Sequence, residues 1–206
     1  APQGCYRASG EDQWITLSVG DDQQWYALCG LMGRQDLAQD QRFADVLARQ
    51  RNHDDLDEVI TVWTSGVDKY ELMHLMQRQG IPSGPVLTGK DVHFDPQYQS
   101  RGFLERVTYP SDRDIGTRPF IGRPYKFSKS PLKIHGSSPT FGQHNQPLLQ
   151  DLLGVDDGGY QELVQDAVIA TVPTTGEPSP QIPPEQAVER GLIGAWDPDF
   201  KKHLGI

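Results

Sequence analysis

Two runs in this sequence have the outline of a reactive site. Gly84-Pro-Val-Leu-Thr-Gly89-Lys90-Asp91 matches the Gly-x4-Gly-Lys opening of a phosphate loop, in which backbone N–H groups cradle phosphate. Such a loop then needs a Ser or Thr hydroxyl to ligate magnesium. Asp91 stands there instead and would bring negative charge towards phosphate, while Pro85 deletes one N–H from the cradle. The run reads as a turn. The second run, His53-Asp54-Asp55 with Asp57-Glu58, gathers one imidazole and four carboxylates. A metal would need donors on one helix face together with others from elsewhere. Here the acids fall in the first turns of a predicted helix, where they favour the positive end of its dipole. A solvated face is the expectation.

Gly142-Gln143-His144-Asn145 sits at a predicted helix start, where backbone N–H groups can receive an anion. Local capping or packing by His144 is the competing reading. His74 and His93 are isolated, His135 lies beside Gly136 in a loop, and none has a nucleophile in a recognisable catalytic context. Cys5 and Cys29 have neither the number for a disulfide framework nor the spacing of a zinc site. They read as free thiols packed as small apolar groups. No catalytic residue and no metal ligand is assigned from these residues alone.

Bulk properties narrow the field further. The chain has 206 residues, a net charge of −9 and 36% hydrophobic residues, enough for one medium domain or a domain with a tail. The densest basic pair is Lys201-Lys202, so the clustered cations that replace counterions on nucleic acid are missing. No apolar run approaches the roughly 20 residues of a membrane helix. The first residues lack the charged-then-apolar pattern of a secretory signal, so a reducing cytoplasm is expected, as it would be for a piece whose targeting segment lies upstream.

The elements that would position these residues follow from periodicity. Gly4–Ala8 and Trp14–Val19 read as two strands around the turn Ser9-Gly10-Glu11-Asp12, with Ile15, Leu17 and Val19 alternating against Trp14, Thr16 and Ser18. Asp21 or Asp22 caps a helix carrying Trp25, Leu28, Cys29 and Met32, closed by Gly33. A second helix starts near Asn52 with the stripe Leu56, Val59, Ile60 and Trp63. A third starts at Asp68, has Glu71 at the capping-box position and ends at Gly80. The prolines of 81–86 forbid helix. A short helix at Gly89–Phe94, a turn at Asp95-Pro96, and strands at Phe103–Tyr109 and Arg123–Phe127 come next. Then follow a helix from Asn145 or Gln146 to Leu153, an extended Pro-rich linker over Pro173–Pro184, and a short helix at Pro184–Arg190. The tail carries Leu192, Ile193, Trp196, Phe200 and Leu204, too many large apolar groups for a solvated end.

Several runs, in shared order and with matching separations over residues 2–169, resemble the family III CoA-transferases. They are Gly4-Cys-Tyr-Arg with the following strand, Gly80-Ile-Pro-Ser-Gly-Pro-Val86, Asp95-Pro-Gln97 and Arg101-Gly-Phe103. Pro124-Tyr-Lys-Phe-Ser128, Gly142-Gln-His144 and Leu152-Leu-Gly154 complete the set. This family includes formyl-CoA transferase, carnitine CoA-transferase and α-methylacyl-CoA racemase. The resemblance implies an α+β fold, helices packed on a short antiparallel sheet, matching the small domain of a two-domain enzyme. Residues 1–141 would be that domain, 142–172 a helical segment packing back on a large Rossmann-like domain, and 173–206 a Pro-rich linker with an extended tail.

The same resemblance implies covalent catalysis, in which an Asp carboxylate attacks the acyl-CoA thioester, passes through a mixed anhydride and becomes an enzyme–CoA thioester. That Asp belongs to the large domain, so no position here inherits the role and the chain is expected to be inactive without it. Pro2, Gln3, Gly4 and Tyr6, on the segment entering the first strand, are the implied substrate-binding residues. Gln3 would hydrogen-bond an acyl carbonyl or carboxylate, and Gly4 would let backbone approach. Coenzyme A enters as substrate and no other cofactor is implied. The implied partners are acyl-CoA, a carboxylic acid and a second copy in an interlocked dimer; nucleic acid and membrane are not expected. A racemase fragment and a non-catalytic oligomerisation module stay open as alternatives.

Overall fold

The computed structural model describes residues 1–113, 115–173 and 182–206. They form two compact units, Ala1–Val92 and His93–Ile206. Most of the expected Pro-rich linker, residues 174–181, lies outside the described residues.

The first unit begins with β1 (Gln3–Arg7) and β2 (Trp14–Ser18), paired antiparallel with Gln3 opposite Ser18 and Arg7 opposite Trp14. Asp12 in the connecting turn has φ 50°, a left-handed value that Asp tolerates better than most residues. The alternation read from the sequence holds: Ile15, Leu17 and Val19 are buried. Helix α1 (Asp22–Leu31) starts at Asp21, whose carboxylate accepts from the Gln24 N–H at 2.8 Å. It buries Trp25, Leu28 and Cys29.

Residues 34–51 gave no periodic signal. The chain there forms α2 (Gln35–Gln39), a 3-10 turn at Gln41–Phe43 and α3 (Val46–Arg51). These pieces are too short to show a stripe, yet Leu37 and Phe43 reach the core, Phe43 edge-on to Trp25 at 6.1 Å. Helix α4 (His53–Thr64) follows, with Leu56 and Ile60 buried. Helix α5 (Lys69–Arg78) is capped by Asp68, which accepts from the Tyr70 and Glu71 N–H groups. Gly80, at φ 73°, ends that helix in a conformation open to glycine.

The short β3 (Ser83–Pro85) returns beside β2, giving the order β1-β2-β3. Helices α4 and α5 cover one face of this sheet and leave the other open. This is the α+β arrangement implied by the resemblance.

The second unit is built differently. Helix α6 (Gly89–Phe94) runs across the boundary, and α7 (Pro96–Ser100) stands where the sequence suggested only a turn. Asp95 accepts from the Gln97 and Tyr98 N–H groups, and Pro96 occupies the first helical position, where no N–H is needed. Strand β4 (Leu104–Thr108) pairs antiparallel with β5 (Thr117–Ile121). The second strand was expected at Arg123–Phe127. Pro124 cannot donate to a ladder, whereas Pro119 is tolerated in a two-stranded ribbon whose strands each keep a free edge.

Residues Pro147–Leu152 form a π-helical segment, and α8 (Asp157–Gln165), unrecognised in the sequence, follows the N-cap Asp156. Helices α9 (Pro184–Glu189) and α10 (Phe200–Leu204) complete the unit. The tail lies on this unit, where the Arg106 guanidinium of β4 donates to the Leu204 and Gly205 carbonyls. Among the described residues, no helix is long and apolar enough to cross a membrane.

The first unit has a charged residue at its centre. Arg49 of α3 is 1% exposed, and its guanidinium donates to the Ala1 carbonyl (2.7 Å), the Phe43 carbonyl (3.2 Å) and Asp22 (2.6 Å). It also lies 5.5 Å from the Trp25 ring centroid. Arg49→Ala leaves those acceptors unmatched and opens a void beside Trp25. It is expected to lower stability by about 3 kcal/mol, measured by urea unfolding of the 206-residue chain.

Candidate functional site

The four residues singled out in the sequence cluster at the start of β1 and face different ways. Pro2 is buried, and its carbonyl accepts from the Val19 N–H at 2.8 Å, which continues the β1–β2 pairing by one bond. Gln3 is exposed, and its Oε1 accepts from the Ser18 hydroxyl at 3.3 Å. It shares the open face of the sheet with Cys5 and Arg7, opposite Ser18, Thr16 and Trp14. The Arg7 guanidinium covers the Trp14 ring at 4.8 Å. Gly4 and Tyr6 point to the other face.

At Gly4 the space a Cβ would need is already filled from within the strand. An added Cβ would meet the Tyr6 hydroxyl at 2.9 Å. The glycine thus admits the ring of Tyr6, a neighbour on the same face two residues on. Tyr6 is 3% exposed, and its hydroxyl donates to Asp57 Oδ1 at 2.7 Å. The other oxygen of Asp57 meets His53 Nδ1 at 3.0 Å, one helical turn earlier on α4. Burial, and then the Asp57 carboxylate, hold the phenol protonated well above its ordinary range. Tyr6 therefore ties β1 to α4. Asp57 was read only as part of a solvated acidic face; nothing in its spacing announces a partner 51 residues earlier.

The phosphate-loop outline resolves as a turn with a capped helix. Thr88 and Asp91 bond reciprocally, the Asp91 carboxylate accepting from the Thr88 N–H and the Thr88 hydroxyl from the Asp91 N–H. The same carboxylate receives the Lys69 ammonium at 2.6 Å, and Lys69 also donates to the Val86 carbonyl. Burial alone would push the Asp91 carboxyl up. The Lys69 and Thr88 donors outweigh it and hold the group below the usual carboxylate range.

At Gly142 (φ 66°) the anion reading meets a carbonyl. The Ala170 oxygen crowds the position a Cβ would take and accepts from Asn145 Nδ2 at 3.0 Å.

The best-held carboxylates thus have structural partners. Asp22 is held by Arg49, Asp57 by Tyr6 and His53, and Asp91 by Lys69. Both oxygens of Glu105 are engaged at 2.6 Å, one by Arg123 and one by the Ile134 N–H.

Residues 1–145 match the model of CoA-transferase family III. The chain belongs to that family. It is 29% identical over 169 residues to the succinyl-CoA–D-citramalate CoA-transferase of Chloroflexus aurantiacus, an alignment covering 82% of this chain and 41% of the relative. It is 30% identical over 145 residues to the formyl-CoA:oxalate CoA-transferase of Streptomyces coelicolor, covering 70% and 34%. Among solved structures it resembles a CaiB/BaiF family protein from Brucella suis, with a TM-score of 0.58 and 30% identity over 74% of this chain and 38% of that one. The chain spans about a third to two fifths of the length of the curated relatives it matches.

The buried phenol has a pH signature. Its folded pKa lies above the unfolded value of about 10, so its contribution is complete below about pH 10 and is lost as pH rises beyond it. Cys29, pushed up to about 12 mainly by burial, acts in the same sense from about pH 9 upwards. Denaturant midpoints should fall through this alkaline window. Tyr6→Phe should cost about 1 kcal/mol at pH 7 and flatten the part of the decline above pH 10.

Proposed function

We propose that this chain is the small-domain end of a CoA-transferase that moves CoA between an acyl-CoA thioester and a carboxylic acid. On this reading it acts together with a large domain bearing the attacking carboxylate and is inactive without it. The observation that carries the reading is the family match over 1–145, made to relatives of which the chain spans only about a third to two fifths. The 142–172 segment, proposed to pack on the large domain, supports it, with Leu148, Leu152 and Leu153 all more than half exposed. The relatives described above carry transferase names, which favours transfer over racemisation. An interlocked homo-oligomer in the cytoplasm is part of the same reading.

Within it, residues 1–141 form the small domain, and the start of β1 edges the acyl pocket. Gln3 is the member of the set whose side chain is exposed, and its amide suits a carbonyl or carboxylate oxygen. Pro2, Gly4 and Tyr6 hold that strand in place.

The test mixes this chain with the amino-terminal region of the Chloroflexus relative and follows transfer of an isotope-labelled carboxylate into thioester by mass spectrometry. Exchange should be absent with either piece and appear with both. Exchange by this chain alone would overturn the requirement, and a stable but inactive complex would favour a non-catalytic module. In the active mixture, Gln3→Ala should lower kcat/KM by about tenfold, the worth of one hydrogen bond.

A further inference from the structure

The second unit carries a cleft of about 260 Å³ that none of the residues assigned above lines. Arg101, Arg123 and Lys126 line it with one carboxylate, Glu105, so three cations face one acid in a chain of net charge −9. Glu105 is itself bound by Arg123 and the Ile134 N–H, so its charge is already matched. Arg101 donates one bond, to the Pro124 carbonyl at 3.3 Å, which leaves most of its guanidinium donors for another acceptor.

The surrounding sequence has the same bias. Residues 115–150 contain five cations (Arg118, Arg123, Lys126, Lys129 and Lys133) and no Asp or Glu. In an acidic protein this keeps the potential positive around one opening.

Beside the cations stand two aromatic rings. Tyr125 and Phe127 also line the cleft, with centroids 5.5 Å apart, planes tilted by 44° and more than half of each side chain exposed. Exposed aromatic faces next to Arg and Lys are the recurring means of holding a base and its phosphate together. The cleft is slightly smaller than the roughly 300 Å³ at which drug-sized pockets begin. It has room for a diphosphate group, with the two rings at its side.

We propose that this cleft binds the phosphate end of a purine nucleotide. Arg101 and Lys126 contact phosphate oxygens, Arg123 is held in place by Glu105, and Tyr125 and Phe127 stack the base. The inference stands on the geometry of the second unit alone; coenzyme A itself ends in an adenosine diphosphate, so ADP binding reports on this cleft and not on whether thioester transfer occurs.

The test is isothermal titration of the 206-residue chain at low ionic strength with ADP, adenosine and inorganic phosphate as probes. ADP should bind with a Kd below about 1 mM and at least tenfold more tightly than either of the other two. Lys126→Ala and Tyr125→Ala, both at exposed positions, should each weaken ADP by about tenfold with an unchanged circular dichroism spectrum. Lys201→Ala, an exposed position outside that run which does not line the cleft, should leave the affinity as it was. ADP binding no tighter than phosphate would overturn the nucleotide assignment. Failure of ADP to bind at millimolar concentration, or equal affinity in both cleft variants, would overturn the site.

Discussion

A single buried guanidinium organises the first unit. Burying a charge is costly unless its hydrogen bonds are matched, and Arg49 matches them with Asp22, the Phe43 carbonyl and the Ala1 carbonyl. Those partners come from α1, from the irregular stretch before α3 and from the segment that becomes β1. Arg49 thus fixes the relation between three pieces of chain whose intrinsic preferences are weak. Its stacking on Trp25 ties the polar knot to the apolar core.

The geometry of β1 follows from that anchor. With the Ala1 carbonyl held, Pro2 continues the pairing with β2, Gln3 faces outward and Tyr6 faces α4. Gly4 is required by that last contact, since any larger residue would collide with the Tyr6 ring. The Tyr6–Asp57–His53 chain then pins the strand to the helix from below. A strand held on its buried side by Tyr6 and at its entry by Arg49 presents its outer side chains on a rigid support. Binding residues need such support, because small displacements are costly at a reacting centre.

The two units solve the problem of charge in opposite ways. In the first, Lys69 and Arg49 are buried and each meets a carboxylate, so nearly all their charge serves the fold. In the second, cations gather around an opening and outnumber the acids beside them. Apolar groups also lie on the surface of that unit, Leu152 and Leu153 among them.

Much of the first unit was legible from the sequence, because its signals are local. The alternation of β2, the caps at Asp21 and Asp68, the stripes of α4 and α5 and the prolines after Gly80 each depend on neighbours within a few residues. The family was legible as well, from short runs in a fixed order. Residues 34–51 were not, since pieces of three to six residues are too short for a period to emerge. Nor was the strand pairing of the second unit, where Thr117–Ile121 carries a proline that only a free edge explains. Tertiary structure alone decided which polar residues are structural. Tyr6 meets Asp57 across 51 residues, Arg49 meets Ala1 across 48, and Glu105 meets Arg123 across 18. Within each unit the fold brings together residues that are far apart in the chain. Which carboxylates are taken up by structural partners is therefore a property of the folded units, invisible in any one stretch of sequence.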